Sequence, residues 1–321
     1  MFLSGRFRAR VTLNSAPPRL ERQLPEIGGA FFYSEVVKPA TTLDQQTALL
    51  ISRGLNVSDT DACQRFLYDT SYYRLSGYAR QFQTAPKARD NTFLPGTGFD
   101  QVQRIVMLDT ELSLALLRSL GAVERVVRAR FAYELAHLHG PGGFYLDPAS
   151  YLPVTPGIDR LLENINEELG RSKSPTVARY ATGKDFTNVP VWVAFELVSF
   201  GTLSRVLEYL ADRTARDVVA ASFSEQKATF ASTIHSLAVL RNRCAHHGQL
   251  WHRYLTIQTP VVRKEKRHTP SFDPQGPYPA VLAIRRLLRG VNSTRSGVDE
   301  IDRLLNTDMT FTQGLLTPAP R

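Results

Sequence analysis

At 321 residues, 43% hydrophobic and 21% charged, the chain has the composition of a globular protein with enough length to bury a large core, which excludes a disordered or fibrous class. Thirty-nine lysines and arginines against 30 aspartates and glutamates leave a net charge of +9 and raise the expectation of a polyanionic partner. Only two cysteines, Cys63 and Cys244, are present; that excludes a disulfide framework or a cysteine-rich metal site, and both read as buried thiols in helical patterns.

No run of about 18 apolar residues is present that would span a bilayer, and the arginine-bearing start, with Arg6, Arg8 and Arg10, is followed by no apolar stretch fit for a secretory signal. The expectation is a cytoplasmic protein with no membrane association. Residues 1–40, with Pro17, Pro18, Pro25, Pro39 and the pair Gly28-Gly29, read as an extended basic arm.

From Thr42 the pattern turns helical. Thr42 with Gln45 forms a capping box, and Gly54 is the expected stop. Ser58 with Asp61 repeats the capping pattern ahead of Cys63, Phe66 and Leu67. The segment Ser71 to Tyr78 is dense in tyrosine: it reads either as a packed helix with aromatic anchors, or as a place where Tyr72, Tyr73 and Arg74 meet RNA. Residues 83–98, punctuated by Pro86, Pro95, Gly96 and Gly98, read as a loop that closes an N-terminal helical segment over 41–98.

A helical core is expected over 99–260. Phe99 to His139 forms one long helix, with Leu112, Leu116, Leu120, Val123 and Val127 at helical spacing. Glu124, Arg125, Arg128 and Arg130 give it a charged face, Gly121 marks a bend or a close approach, and Gly140 to Gly143 ends it. A short helix follows over Ile158 to Leu169. The stretch from Pro190 to Ser204 is apolar nearly all round and reads as one central buried helix. Glu196 within it should meet an arginine, with Arg241 a candidate. Residues 227–247 form the next helix. Residues 261–321 then supply a basic loop (Arg263 to Arg267), two short helices near 278–290 and 297–306, and a tail. No segment alternates as a strand should, and no phosphate-binding glycine loop appears, so the fold class is all-α.

The chemistry concentrates in Leu240-Arg241-Asn242-Arg243-Cys244-Ala245-His246-His247-Gly248. The histidines lack metalloprotease spacing, and no glycine elbow surrounds Cys244. A histidine that moves protons beside an arginine that holds phosphate suits a phosphodiester, above all RNA, whose 2′-hydroxyl is a tethered nucleophile. On an ideal helix Arg241 and His246 lie about 140° apart, whereas Asn242 and His246 share a face, so Asn242 can orient the imidazole. A helix end, or a second copy across a dimer axis, would be needed to complete one pocket. The plain alternative is a polar helix C-terminus capped by Gly248, where histidine and arginine meet the carbonyl end of the dipole.

These residues, with Tyr72 to Tyr78, Glu124 to Arg130, Pro190 to Glu196, Ser199 to Ser204 and Leu250 to Arg253 in the same order, resemble the Abi-like family of bacteriophage-resistance proteins, of the AbiD/AbiF type, over residues 38–255. The resemblance implies a HEPN-type helical bundle with additional N- and C-terminal helices. It also implies metal-independent endoribonuclease activity leaving cyclic-phosphate or 3′-phosphate ends. In that reading Arg241, His246 and Asn242 are catalytic. Supporting or RNA-contact roles fall to His247, Arg243, Glu196, Tyr72, Tyr73, Arg74, Arg128 and Arg130. No metal or other cofactor is expected. The implied setting is antiviral defence by abortive infection, or toxin action, with RNA as substrate, a structured non-coding RNA as a possible controlling partner, and a homodimer as the assembly. A looser match, Arg130 with His137, carries Phe131 where a polar residue belongs and reads first as a packing or RNA-contact face. The competing readings are a non-catalytic RNA-binding protein of a defence ribonucleoprotein and an oligomeric scaffold.

Overall fold

The computed structural model describes residues 39–153, 156–267, 270–291 and 296–319. The chain divides into two units, Met1–Thr41 and a helical body Thr42–Arg321. The extended arm expected over 1–40 lies, as far as residue 38, outside the described residues. Thirteen α-helices, five single-turn 3₁₀ helices and one two-stranded ribbon make up the regular structure of the described residues, so the protein is all-α.

The N-terminal helices follow from their caps. Helix α1 (Leu43–Ser52) opens on the Thr42/Gln45 capping box and ends with Gly54 at φ 92°. There the Gly54 N–H donates to the Ile51 carbonyl and the Leu55 N–H to the Leu50 carbonyl, which closes a Schellman turn. Helix α2 (Thr60–Thr70) is capped by Asp59, one residue beyond the expected Ser58, and α3 (Tyr72–Ala79) by Ser71. The region 83–98 is not all loop: β1 (Gln83–Ala85) pairs antiparallel with β2 (Asp90–Phe93). Strands of three and four residues are too short to show an alternation.

Helix α4 (Phe99–His139) has the expected bounds and, at 41 residues, runs about 60 Å. Its buried stripe passes through Val102, Ile105, Asp109, Leu112, Leu116, Leu120, Val123, Val127, Phe131 and Leu135. It is the spine of the body. Beyond it come α5 (Ile158–Arg171), α6 (Pro175–Tyr180), α7 (Val191–Leu197), α8 (Phe200–Tyr209), α9 (Thr214–Ser222) and α10 (Lys227–Ala245). The C-terminal helices are α11 (Tyr278–Arg289), α12 (Ser296–Leu305) and α13 (Met309–Leu316). Helices α3, α7, α9, α10, α11 and α12 all pack on α4, and α10 is further enclosed by α8, α9 and α11. Among the described residues no helix is long and apolar enough to cross a membrane.

Two further expectations need correction. The stretch 190–204 is not one helix: the chain turns extended at Val198 (ψ 150°) and Ser199 (ψ 156°), separating α7 from α8. Ionic groups from other helices hold that break. Arg128 of α4 donates to the carbonyls of Phe195 and Val198, the latter at 2.7 Å, while Glu168 of α5 accepts from the Ser199 N–H at 2.6 Å. Gly121 lies within continuous helix with open space where a Cβ would stand, so it marks no close approach of another element.

Candidate functional site

Helix α10 stops at Ala245, which places the end of the motif outside the helix. His246 is the C-cap (φ −95°, ψ 17°) and His247 follows in the left-handed region at φ 55°. The His247 N–H donates to the Cys244 carbonyl at 3.0 Å and the Gly248 N–H to the Arg243 carbonyl at 2.8 Å. This is a complete Schellman turn with a histidine in the seat usually held by glycine. Gly248, expected to cap the helix, is instead required by crowding, because a Cβ there would stand 2.7 Å from Arg243 Cγ.

Arg241, Asn242, His246 and His247 all open to solvent at this end. Arg241 is oriented from two sides: its Nη1 donates to Asn242 Oδ1 at 3.1 Å, and its Nε lies 3.7 Å from Glu124 Oε2. The other oxygen of Glu124 pairs with Arg128 at 2.5 Å. A chain of charge therefore runs from the exposed Arg241 through Glu124 to the buried Arg128 and on to the carbonyl end of α7. Glu196, expected to be buried against an arginine, is exposed. The outer face of α7 carries Trp192 and Glu196 to solvent, and the carboxylate that meets Arg241 comes from α4.

The remaining candidates divide between exposed groups and structural ones. Arg243 is a brace: Nε and Nη2 donate to the Gln249 carbonyl at 2.9 and 2.6 Å, and Nη1 donates to the Tyr254 carbonyl at 3.2 Å. Burial lowers its guanidinium from the ordinary arginine range, and the nearby Arg253 adds to the effect. Arg128 is 7% exposed and committed to α7. Arg130 donates to Ser222 and to the Gly290 carbonyl and lies over the Phe223 ring, so it packs between elements, while His137 is exposed beside the exposed Tyr133. In the tyrosine segment Tyr72 accepts from Arg53 Nη1 at 2.8 Å, and Arg74 donates to the His247 carbonyl at 2.5 Å. Arg74 thus clamps the turn that carries the motif. Tyr73 alone of the three stands free, at 88% exposure.

One residue absent from the sequence reading underlies all of this. Asp109, 1% exposed on α4, accepts from the Tyr78 hydroxyl at 2.6 Å and from the N–H groups of Leu250 and Trp251 at 3.0 Å each. Burial pushes its carboxyl above the ordinary carboxylate range against the pull of those three donors. The signal was present as a carboxylate on the apolar stripe of a long helix, where an unpaired charge is costly. Trp251 beyond it is buried, stacks on Tyr78 and Phe82, and lies so close to Gly314 of α13 that a Cβ there would come within 2.1 Å of its Nε1. Part of the expected C-terminal tail is therefore a helix packed on the loop that follows the motif. Both cysteines are buried as expected, and burial pushes the Cys244 thiol up to about 12, so it is no nucleophile near neutral pH.

The site thus has a solvent-reaching cation held by a carboxylate, an exposed histidine at the end of the same helix, and a hydrogen-bonded turn that follows it. Comparison with curated proteins and with solved structures finds no match. A family model described as Abi-like protein matches residues 65–252, from α2 through the motif to His252. That span is more than half of the chain and contains Arg74, Asp109, Glu124, Arg128 and Arg241 to His247, and the chain belongs to the Abi-like protein family.

Proposed function

We propose that this protein is a metal-independent endoribonuclease of the HEPN type that acts in abortive-infection defence against phage or as a toxin. The observation that supports the reading is that Arg241 and His246 both reach solvent at the same end of α10, with Glu124 and Asn242 directing the guanidinium. In the reaction the 2′-oxygen of RNA bonds to the adjacent phosphorus while the bond from phosphorus to the 5′-oxygen breaks. The 2′-proton passes to a base and the departing 5′-oxygen receives a proton. The products are a cyclic phosphate and a 5′-hydroxyl. His246 serves one of these transfers, and Arg241 stabilises the charge that builds on the phosphate. The second transfer needs a second group, which a facing copy of the motif in a homodimer would supply. A structured non-coding RNA that holds the nuclease in check belongs to the same proposal.

The test is RNA cleavage by purified wild type and by the double variant Arg241→Ala/His246→Ala, with the new RNA ends sequenced. The expected outcome is loss of cleavage and of growth arrest with unchanged helical content; cleavage at the wild-type rate by the double variant would sink the proposal. The non-catalytic reading gains support from the exposed Tyr68 and Tyr73, which offer rings for base stacking, and it would show as bound RNA with no cleaved ends.

A further inference from the structure

Below the motif, the same face of α10 lines a cleft of about 360 Å³, near the lower end of the range for small-ligand sites. Asn242 stands at its motif end and His235 two turns back, and helices α5 and α8 supply the opposite walls. The floor is apolar, formed by Leu161, Ala238 and Val239, with Gly201 adding no side chain. The rim carries hydrogen-bonding groups: Arg160 and Asn164 from α5, Arg205 and Tyr209 from α8.

The tautomer of His235 follows from its neighbour. The Ser204 hydroxyl is buried and donates its one proton to the Gly201 carbonyl at 2.7 Å. Both contacts of the Ser204 oxygen are satisfied at once in the tautomer in which His235 Nδ1, 3.0 Å away, is the donor, and we assign that form. Its Nε2 is left as a bare acceptor with no hydrogen-bond partner among the described residues. Burial, aided by Arg205, lowers the imidazole from its ordinary value and favours this neutral form, with Glu208 pulling the other way.

The charges of the rim argue against a second phosphate. Arg160 faces Glu163 and Glu167, and Arg205 faces Glu208, so two guanidiniums meet three carboxylates. An apolar floor under a rim of donors and acceptors suits a neutral planar ring with a hydrogen-bonding edge. We propose that this cleft is a base-reading subsite, which holds the nucleobase next to the scissile phosphate of single-stranded RNA and takes a proton-donating base edge on His235 Nε2. The proposal rests on the reading of the motif as an RNA site. His235 lies six residues, about 9 Å of rise, before Arg241, whose guanidinium donates to Asn242 at the end of the cleft, so a base on His235 would carry its own phosphate toward Arg241.

The experiment uses full-length His246→Ala protein, labelled with ¹⁵N at histidine, and the four RNA trinucleotides that differ only in the central base. One base is expected to bind at least five-fold more tightly than the weakest and to move the His235 Nε2 resonance. Asn164→Ala and His235→Ala in the same background are expected to bring the four affinities together. Equal affinities with an unmoved Nε2 would overturn the proposal, even where the wild type cleaves RNA and the nuclease reading stands. Base-selective binding that moves Nε2, beside a wild type that leaves no cleaved ends, keeps the subsite and removes the nuclease.

Discussion

At the residue scale, His247 is the side chain whose role is easiest to mistake. A histidine beside the motif invites a catalytic reading, yet its backbone holds the left-handed seat of the turn that ends α10, and its carbonyl takes the Arg74 guanidinium. Histidine tolerates that region better than most residues, but the conformation still costs on the order of 1 kcal/mol relative to glycine. Helix α1 closes the same kind of turn with Gly54 at φ 92°, which shows what the fold uses where the side chain is dispensable. His247→Gly is expected to keep the turn and to gain up to about 1 kcal/mol in chemical denaturation. Its RNA cleavage decides the rest: activity near wild type assigns His247 to the backbone alone, and a hundred-fold loss with stability retained assigns its imidazole to the chemistry.

At the scale of elements, the helices read most clearly from the chain are those whose ends are written locally. Thr42 with Gln45 set the start of α1, and the glycines from Gly140 set the end of α4. The break between α7 and α8 was not legible. Its apolar residues keep helical spacing through Val198, and the groups that open the backbone there, Arg128 and Glu168, lie some 30 to 70 residues away in sequence. Glu196 was misplaced for a different reason: Trp192 and Glu196, four residues apart, share the face of α7 that looks to solvent, which the apolar composition of the stretch hides. Within the site, the local part of the motif was readable and its supports were not, because the Arg241–Glu124 pair spans two helices. Gly121 tests the element that organises the body. With no neighbouring side chain or other element within 4 Å of its missing Cβ, Gly121→Ala should stabilise α4 by about 0.5–1 kcal/mol. A loss of stability in thermal or urea unfolding would show that the glycine serves a contact this helix lacks.

For the whole molecule, the question is what ties a surface motif to a core some distance below it. The answer is one buried carboxylate that joins pieces far apart in the chain. Asp109 on the spine helix takes the Tyr78 hydroxyl from α3 and two backbone N–H groups from the loop after the motif, and the Trp251 of that loop is wedged against Gly314 near the C-terminus. Removal of the carboxylate strands three donors in a site that water does not reach, at about 1–3 kcal/mol each before relaxation. Asp109→Ala is therefore expected to lose on the order of 3 kcal/mol or more in urea unfolding, well beyond a typical point substitution. Because the loop it anchors continues directly from the turn of His246 to Gly248, the folded fraction should also lose RNA cleavage, although no residue of the motif has changed. A variant within about 0.5 kcal/mol of wild type, the ordinary range for a surface change, would show that the loop holds its place without Asp109, and that the spine helix does not position the motif through it.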